Sequence, residues 1–330
     1  MVIDTRDKKH KTKLGQYFTK KDVWLKKHIK NFITDSNTKI VYDPFAGNGD
    51  LLCAVKKLGY NKIIGLDIDR KLKWKINDSL INIPHVENSI IVTNPPYIAK
   101  QSASRKKINL KKYYNSTIYD DIYLLALDKM LEAQKYVVAI IPESFINSIY
   151  KQKDKLYSIT ILEENPFEDT ENPVCVVCFD GIIKTFDKIK IYKEDKYINN
   201  LKYFEELRLE PNNSIDISFN DKKGWLALRA TDSSNGEDVI HFCFKNDMNY
   251  DFENNIKVSS RHISLLNINV KIKDRQKFIN VSNKIINELR KDTSDIILTP
   301  FKGNTKFGKR RRRLDFKLAR AILEKAYTLI

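Results

Sequence analysis

Lys39-Ile40-Val41-Tyr42-Asp43-Pro44-Phe45-Ala46-Gly47-Asn48-Gly49-Asp50, running on through Leu51 to Leu58, is the stretch that decides the fold. The apolar residues after Lys39 read as a strand up to Tyr42, DPFAGNGD as a glycine-rich turn, and the rest as a helix. Strand, turn and helix in that order form the first unit of a doubly wound α/β sheet that binds a nucleotide-like ligand. Gly47 and Gly49 let the backbone come close to such a ligand beside the helix. The spacing is not the GxGxxG dinucleotide fingerprint, and no Lys-Ser/Thr follows as in a phosphate-binding P-loop. The loop opens instead on a carboxylate, Asp43, which suits a ligand with a positive amino group better than a phosphate.

The following segments repeat the pattern. A second strand, Lys62 to Leu66, ends in Asp67-Ile68-Asp69. An acid at that place is where doubly wound folds hold ribose hydroxyls, and Asp69 reads as the cap of a helix starting near Arg70. Asn77-Asp78-Ser79-Leu80 comes next as a polar loop, which by composition is also an ordinary turn. A third apolar run, Ser89 to Val92, ends in Thr93-Asn94-Pro95-Pro96-Tyr97, where the prolines stop the strand. The Asn94 amide oxygen, a carbonyl held extended before a proline and a flat ring then stand together. Two acceptors beside a ring suit a planar substrate carrying an NH2 group. Taken alone, the tripeptide reads equally well as a rigid turn.

Elsewhere the signals are weaker. Gly15-Gln16-Tyr17-Phe18-Thr19 leads into a helix expected from Lys21 to Ile33, with Thr19 as its cap. Gln101 to Lys112, with Arg105, Lys106 and Lys107, is basic and irregular, and reads as a loop that orders on DNA or as a solvated charge run. A helix is expected over 120–133, and strands over 136–141, 157–162 and through PVCVVCF. Beyond Gly181 the character changes to short strands, a polar loop with Arg261, and a helix from Arg275 to Leu289. Arg310, Arg311, Arg312 and Arg313 precede a closing helix with Leu314, Leu318, Ile322 and Ala326 on one stripe.

The 330 residues carry a formal net charge of +17. With a pI near 9.4, a polyanionic partner follows, nucleic acid ahead of a membrane surface. The apolar runs are strand-sized, too short to span a membrane, and the N-terminus lacks the apolar core of a signal peptide, so the expected location is cytoplasmic. Cys175 and Cys178 lie three apart in a strand, so they point to opposite faces and cannot share a metal; no metal site is expected.

DPFAGNG, GLDID, NDSL and TNPPY, preceded by GQYFT, resemble the motif set of S-adenosylmethionine-dependent DNA adenine methyltransferases of the gamma subgroup, over roughly residues 13 to 180. The resemblance implies a Rossmann-like methyltransferase sheet over 1–183 and a mixed α+β DNA-recognition domain over 184–330. It implies S-adenosylmethionine as cofactor, held by Tyr17, Phe18, Thr19, Asp43, Phe45, Gly47, Gly49, Asp67, Ile68, Asp78, Ser79 and Asn94. Within that set Asp43 meets the methionine amino group, Asp67 the ribose hydroxyls and Asp78 the adenine amino group. Asn94, Pro95, Pro96 and Tyr97 become the catalytic motif, with Tyr97 stacking on the target base; Phe167 is the match to a second base-packing aromatic and reads equally well as a hairpin core residue. Arg105, Lys106, Lys107, Arg261 and Arg310 to Arg313 are assigned to DNA.

The expectation is therefore a monomeric enzyme that flips an adenine out of duplex DNA and methylates its 6-amino group, with a restriction endonuclease of the same site as partner. A protein glutamine methyltransferase shares the need for NPPY but leaves GQYFT, the charge and the long C-terminal half unexplained. An inactive nucleic-acid-binding protein on the same fold is the other alternative. Intact Asp43, Asp67 and Asn94 weigh against it.

Overall fold

Strand β1 (Ile40–Asp43) is an interior strand of a large sheet in the computed structural model, which describes residues 22–167, 171–255 and 262–330. The chain forms two compact units, Met1–Lys202 and Tyr203–Ile330.

In the first unit, helix α1 (Lys27–Asp35) precedes β1, and α2 (Asp50–Lys56) follows it. The expected start of the first helix at Lys21 moves to Lys27. Lys26 is extended, and Trp24 and Leu25 enter the core from the turn ahead of the helix. Then come β2 (Lys62–Asp67), β3 (Lys75–Ile76), β4 (Ser89–Thr93), α3 (Lys100–Arg105), α4 (Lys111–Tyr114), α5 (Ile122–Ala133) and β5 (Tyr136–Pro142). Strands β6 (Leu156–Ile161), β7 (Val174–Phe179), β8 (Lys190–Lys193) and β9 (Lys196–Asn200) complete the sheet among the described residues. Its order is β3-β2-β1-β4-β5-β7-β6-β8-β9. Strands β1 to β5 run parallel, while β7 is inserted antiparallel between β5 and β6.

Burial explains why β4 and β7 read as unbroken apolar runs: every residue of Ser89–Thr93 and Val174–Phe179 is buried, as strands covered on both faces must be. Each Ile or Val so buried contributes about 1.5–3 kcal/mol relative to exposure. The register Ile40↔Ser89 and Asp43↔Gly65 brings the C-terminal ends of β1, β2 and β4 to one edge.

Three further expectations change here. No helix forms at Arg70. Asp69 Oδ1 accepts the Lys71 amide in a local turn, and the chain bends so that the Trp74 ring lies on Gly65, where an added Cβ would collide with it. The boundary expected after residue 183 falls instead after Lys202, because β8 pairs in parallel with β6 and carries β9 into the first sheet. The segment read as irregular, 101–112, holds α3 and α4. The first unit ends within α6 (Leu201–Leu207).

The second unit is α+β. Antiparallel strands β10 (Ile217–Phe219), β11 (Leu226–Arg229), β12 (His241–Phe244) and β13 (Ile263–Ile268) form a sheet in the order β10-β13-β11-β12. A short helix α7 (Phe252–Asn255), the long α8 (Arg275–Asp292) and the closing α9 (Phe316–Thr328) accompany it. Both long helices start on an aspartate whose side chain accepts an amide of the first turn, Asp274 from Lys277 and Asp315 from Leu318. Their apolar stripes, with Phe278, Ile286, Leu318 and Ile322, share one core with Leu226, Leu228 and Leu266 of the sheet. A hairpin of β14 (Thr299–Asn304) and β15 (Arg310–Arg313) stands as a separate two-stranded sheet.

Candidate active site

Chain reversal after β1 depends on two glycines. Gly47 and Gly49 take φ of +51° and +87°, a region side chains with a Cβ rarely adopt. A Cβ on Gly47 would meet nothing within 4 Å, whereas one on Gly49 would stand 2.8 Å from the Trp74 ring. Trp74 also donates its indole N–H to the Gly47 carbonyl at 2.8 Å. The loop is thus held from below by a tryptophan and left open on the other side.

That open side faces a cavity of about 260 Å³ lined by Asp43, Phe45, Gly47, Asp67, Asp78 and Asn94, with Ile68, Ser79, Pro96, Leu110 and Tyr113 beside them. Asp43 is 1% exposed. Its Oδ1 accepts from the Phe45 amide at 2.9 Å and from Thr93 Oγ1 at 2.5 Å, which leaves Oδ2 as the oxygen available to the cavity. Burial pushes this carboxyl up to about 7; Thr93 and the Phe45 amide oppose the shift and Asp67 adds to it. Asp67 accepts the Gly47 amide on Oδ2 and the Asp69 amide on Oδ1. Each oxygen keeps a second acceptor position for a ligand hydroxyl. Ser79 is buried and donates to the Pro44 carbonyl, which ties the polar loop to the glycine-rich one.

Asp78 has partners that the sequence did not suggest. Its Oδ2 accepts from Lys112 Nζ and from the Tyr113 hydroxyl, both at 2.9 Å, so α4 closes over this end of the cavity. At the end of β4, the Tyr97 hydroxyl donates to Asn94 Oδ1 and lies 3.2 Å from the Ile140 carbonyl. An amide oxygen has two lone pairs, so Asn94 Oδ1 can accept one hydrogen more. Phe167 is 3% exposed, part of the core, with its ring centre 6.3 Å from that of Tyr97. It supports Tyr97 and offers no open face of its own.

The structure therefore gathers Asp43, Phe45, Gly47, Asp67, Ile68, Asp78, Ser79, Asn94 and Pro96 around one cavity. Tyr17, Phe18, Thr19 and Arg261 lie outside the described residues. Arg105, Lys106 and Lys107 are exposed. The four arginines are not one surface strip: β15 alternates, so Arg310 is 6% and Arg312 1% exposed, and only Arg311 and Arg313 are half-buried. Arg312 sits where its backbone donates to Asp232, the acid that also takes Arg290 through both guanidinium nitrogens at 2.8 and 3.0 Å. Arg310 and Arg312 are therefore too buried to reach a phosphate, contrary to expectation. Burial raises the thiols of Cys175 and Cys178, the latter to about 12, so neither is poised as a nucleophile. Among the described residues no group of three or more metal-ligating side chains occurs, and no helix is long and apolar enough to cross a membrane.

Sequence reasoning missed Thr93, Trp74, Lys112 and Tyr113. Only Thr93 carried a signal, as the residue preceding Asn94 at the end of the buried strand.

The parallel β3-β2-β1-β4-β5 run followed by an antiparallel β7 and β6 is the architecture of class I S-adenosylmethionine-dependent methyltransferases. S-adenosylmethionine is the cofactor of that class, and the donors fit it: a carboxylate for the amino group, a carboxylate with two spare acceptor positions for the ribose, and a glycine loop without a Cβ in the way. Residues 13–170 match the family described as Eco57I restriction-modification methylase. Two type II methyltransferases of Haemophilus influenzae, M.HincII and M.HindII, are each 26% identical to this chain over 154 residues. The alignment spans 43% of this chain but only 30% and 29% of those enzymes' own lengths. The methyltransferase subunit of a type I restriction-modification system from Streptococcus thermophilus superposes with a TM-score of 0.38 at 15% identity, over 56% of this chain and 50% of that one. Strand order, rather than this loose superposition, defines the fold.

Proposed function

We propose that the protein is a DNA adenine methyltransferase of restriction-modification type, acting on the 6-amino group of an adenine flipped out of a short duplex site. The observation that carries this is the shared cavity: Asn94 and Pro96, from the end of β4, line the same space as Asp43 and Asp67. A cofactor held by the two acids then lies beside the two acceptors of the NPPY turn.

S-adenosylmethionine supplies an electrophilic methyl group when bound. The chain's own contribution is to position and to polarise. Asn94 Oδ1 and the Pro95 carbonyl accept the two hydrogens of the amino group, drawing its lone pair out of conjugation with the ring and toward the methyl. Tyr97 fixes the Asn94 amide through its hydroxyl and presents its ring to the base. Losing such a preorganised polar group costs about 100-fold or more in rate. A base inside the duplex cannot reach this cavity, so it must leave the stack. The charge of +17 supports a polyanionic substrate over a protein glutamine.

The test is methyl transfer from labelled S-adenosylmethionine to duplex DNA, followed by digestion to nucleosides. Label in N6-methyladenine is the expected result. Label in a cytosine, or in a glutamine of an added protein with none in DNA, would overturn the reading.

A further inference from the structure

The hairpin β14–β15 is not used by the site described above, and its tip is unusual. Phe307 is 67% exposed there, although a phenylalanine ring ordinarily goes inside. Its position is built rather than loose. The Thr305 amide bonds to the Lys309 carbonyl at 2.8 Å, the Gly308 amide to the Thr305 carbonyl at 2.9 Å, and Gly308 takes a φ of +78°. The neighbouring loop braces the tip. The Lys306 amide donates to the Ser234 carbonyl at 2.9 Å, Lys306 Nζ meets Glu237 Oε1 at 3.0 Å, and a Cβ on Gly236 would stand 3.0 Å from the Phe307 ring. One face of the ring is supported and the rest is left to solvent.

The surroundings say what such a ring would meet. Residues 299–313 hold seven cations and no acid. Two of these, Arg310 and Arg312, turn inward, while Lys302, Lys306 and Lys309 stay exposed, with Lys306 sharing its charge with Glu237. An exposed aromatic on a braced, cationic two-stranded tip is suited to a duplex: the cations face phosphates and the ring has an apolar place between bases.

We propose that this hairpin enters a groove of duplex DNA and that Phe307 acts as a wedge at a base step, bending the duplex. The proposal rests on the reading of the protein as a DNA methyltransferase and adds the element and the mode of its DNA contact. Lysines position the tip, and the wedge makes the complex depend on how readily that step unstacks.

The probe is a duplex containing the sequence that the wild-type protein methylates, end-labelled so that energy transfer reports its bend. Phe307→Ala is expected to bind it roughly tenfold or more weakly and to lose the bend, with an unchanged melting temperature because the side chain is exposed. Phe307→Trp keeps both binding and bend. Lys306→Gln with Lys309→Gln keeps the bend but lowers the slope of log affinity against log salt by about two, whereas Phe307→Ala leaves that slope alone. A Phe307→Ala protein that binds and bends the probe like the wild type overturns the wedge. Failure of the underlying reading looks different: a wild-type protein that binds S-adenosylmethionine yet methylates no DNA overturns both together.

Discussion

On the proposed function, Asn94 and Asp43, which line one cavity, do separable work, and substitutions should separate it. Asn94→Ala is expected to lower methyl transfer by about 100-fold or more while cofactor affinity stays near the wild-type value, because the amide acts on the target. Calorimetry beside a transfer assay checks this; a mutant that turns over normally removes Asn94 from the mechanism. Asp43 makes a pH prediction. Its carboxyl sits at about 7 against an ordinary 3.8. A cationic amino group needs the carboxylate, so cofactor affinity should rise with pH through about 7 and then level off. For folding the sign is opposite. The unfolded chain ionises near 3.8 while the folded one holds its proton to about 7, so this group's stabilising contribution is present below about pH 4 and lost as pH rises through 7. Asp43→Asn should therefore be more stable than wild type at pH 8, on the order of a few kcal/mol, by a margin that shrinks as pH falls and is nearly gone at about pH 4, and should bind cofactor poorly. Equal melting at both values would show that the acid is not held high.

At the scale of elements, the glycine-rich loop stands on Trp74, and that contact can be tested as a pair. Gly49→Ala carries the cost of a left-handed backbone plus a Cβ 2.8 Å from the indole, and should weaken cofactor binding strongly. Trp74→Ala alone removes the brace from the Gly47 carbonyl and weakens binding less. Combined, the two should lose less than the sum of their separate effects, because the second removes the first one's clash. Strict additivity in cofactor dissociation constants would mean the ring and the loop act independently. This contact also marks where sequence reading stopped. The strand, turn and helix of 40–56 were legible because their signals are local: a β-branched run, two glycines, then a helical stretch. Trp74 braces glycines 9 and 25 residues away, and no periodicity announces that. The helix expected after Asp69 failed for the same reason, since docking of Trp74 overrides the local capping signal.

Over the whole molecule, identical residues hid a pattern. A run of four arginines has no polar and apolar alternation to read, yet strand geometry sends Arg310 and Arg312 inward and leaves Arg311 and Arg313 half out. Arg312→Ala is accordingly expected to act on stability, by about 2–5 kcal/mol, because it empties the space of a large side chain that is 1% exposed. Arg311→Gln, which loses a hydrogen bond to the Asp232 carbonyl and a place over the Phe301 ring, should cost clearly less. Similar melting of the two variants would contradict the inward placement. The boundary between units was misread in the same way: 184–200 looks like the start of a new domain by composition, but β8 and β9 finish the first sheet through pairing that no local signal encodes. Asp43, Asp67, Asp78 and Asn94, each readable from local signals beside a strand or a polar loop, line one cavity, while the contacts of Lys112 and Tyr113 with Asp78 became visible only in three dimensions.

On the proposed function, the acceptors at the end of β4 hold an adenine of DNA for methylation. Sequencing of modified bases in DNA from cells expressing either the wild type or Asn94→Ala tests it most directly. N6-methyladenine is expected at one short recurring sequence with the wild type and absent with the variant. Methylated cytosine, or an unchanged adenine signal in the Asn94→Ala cells, would contradict it.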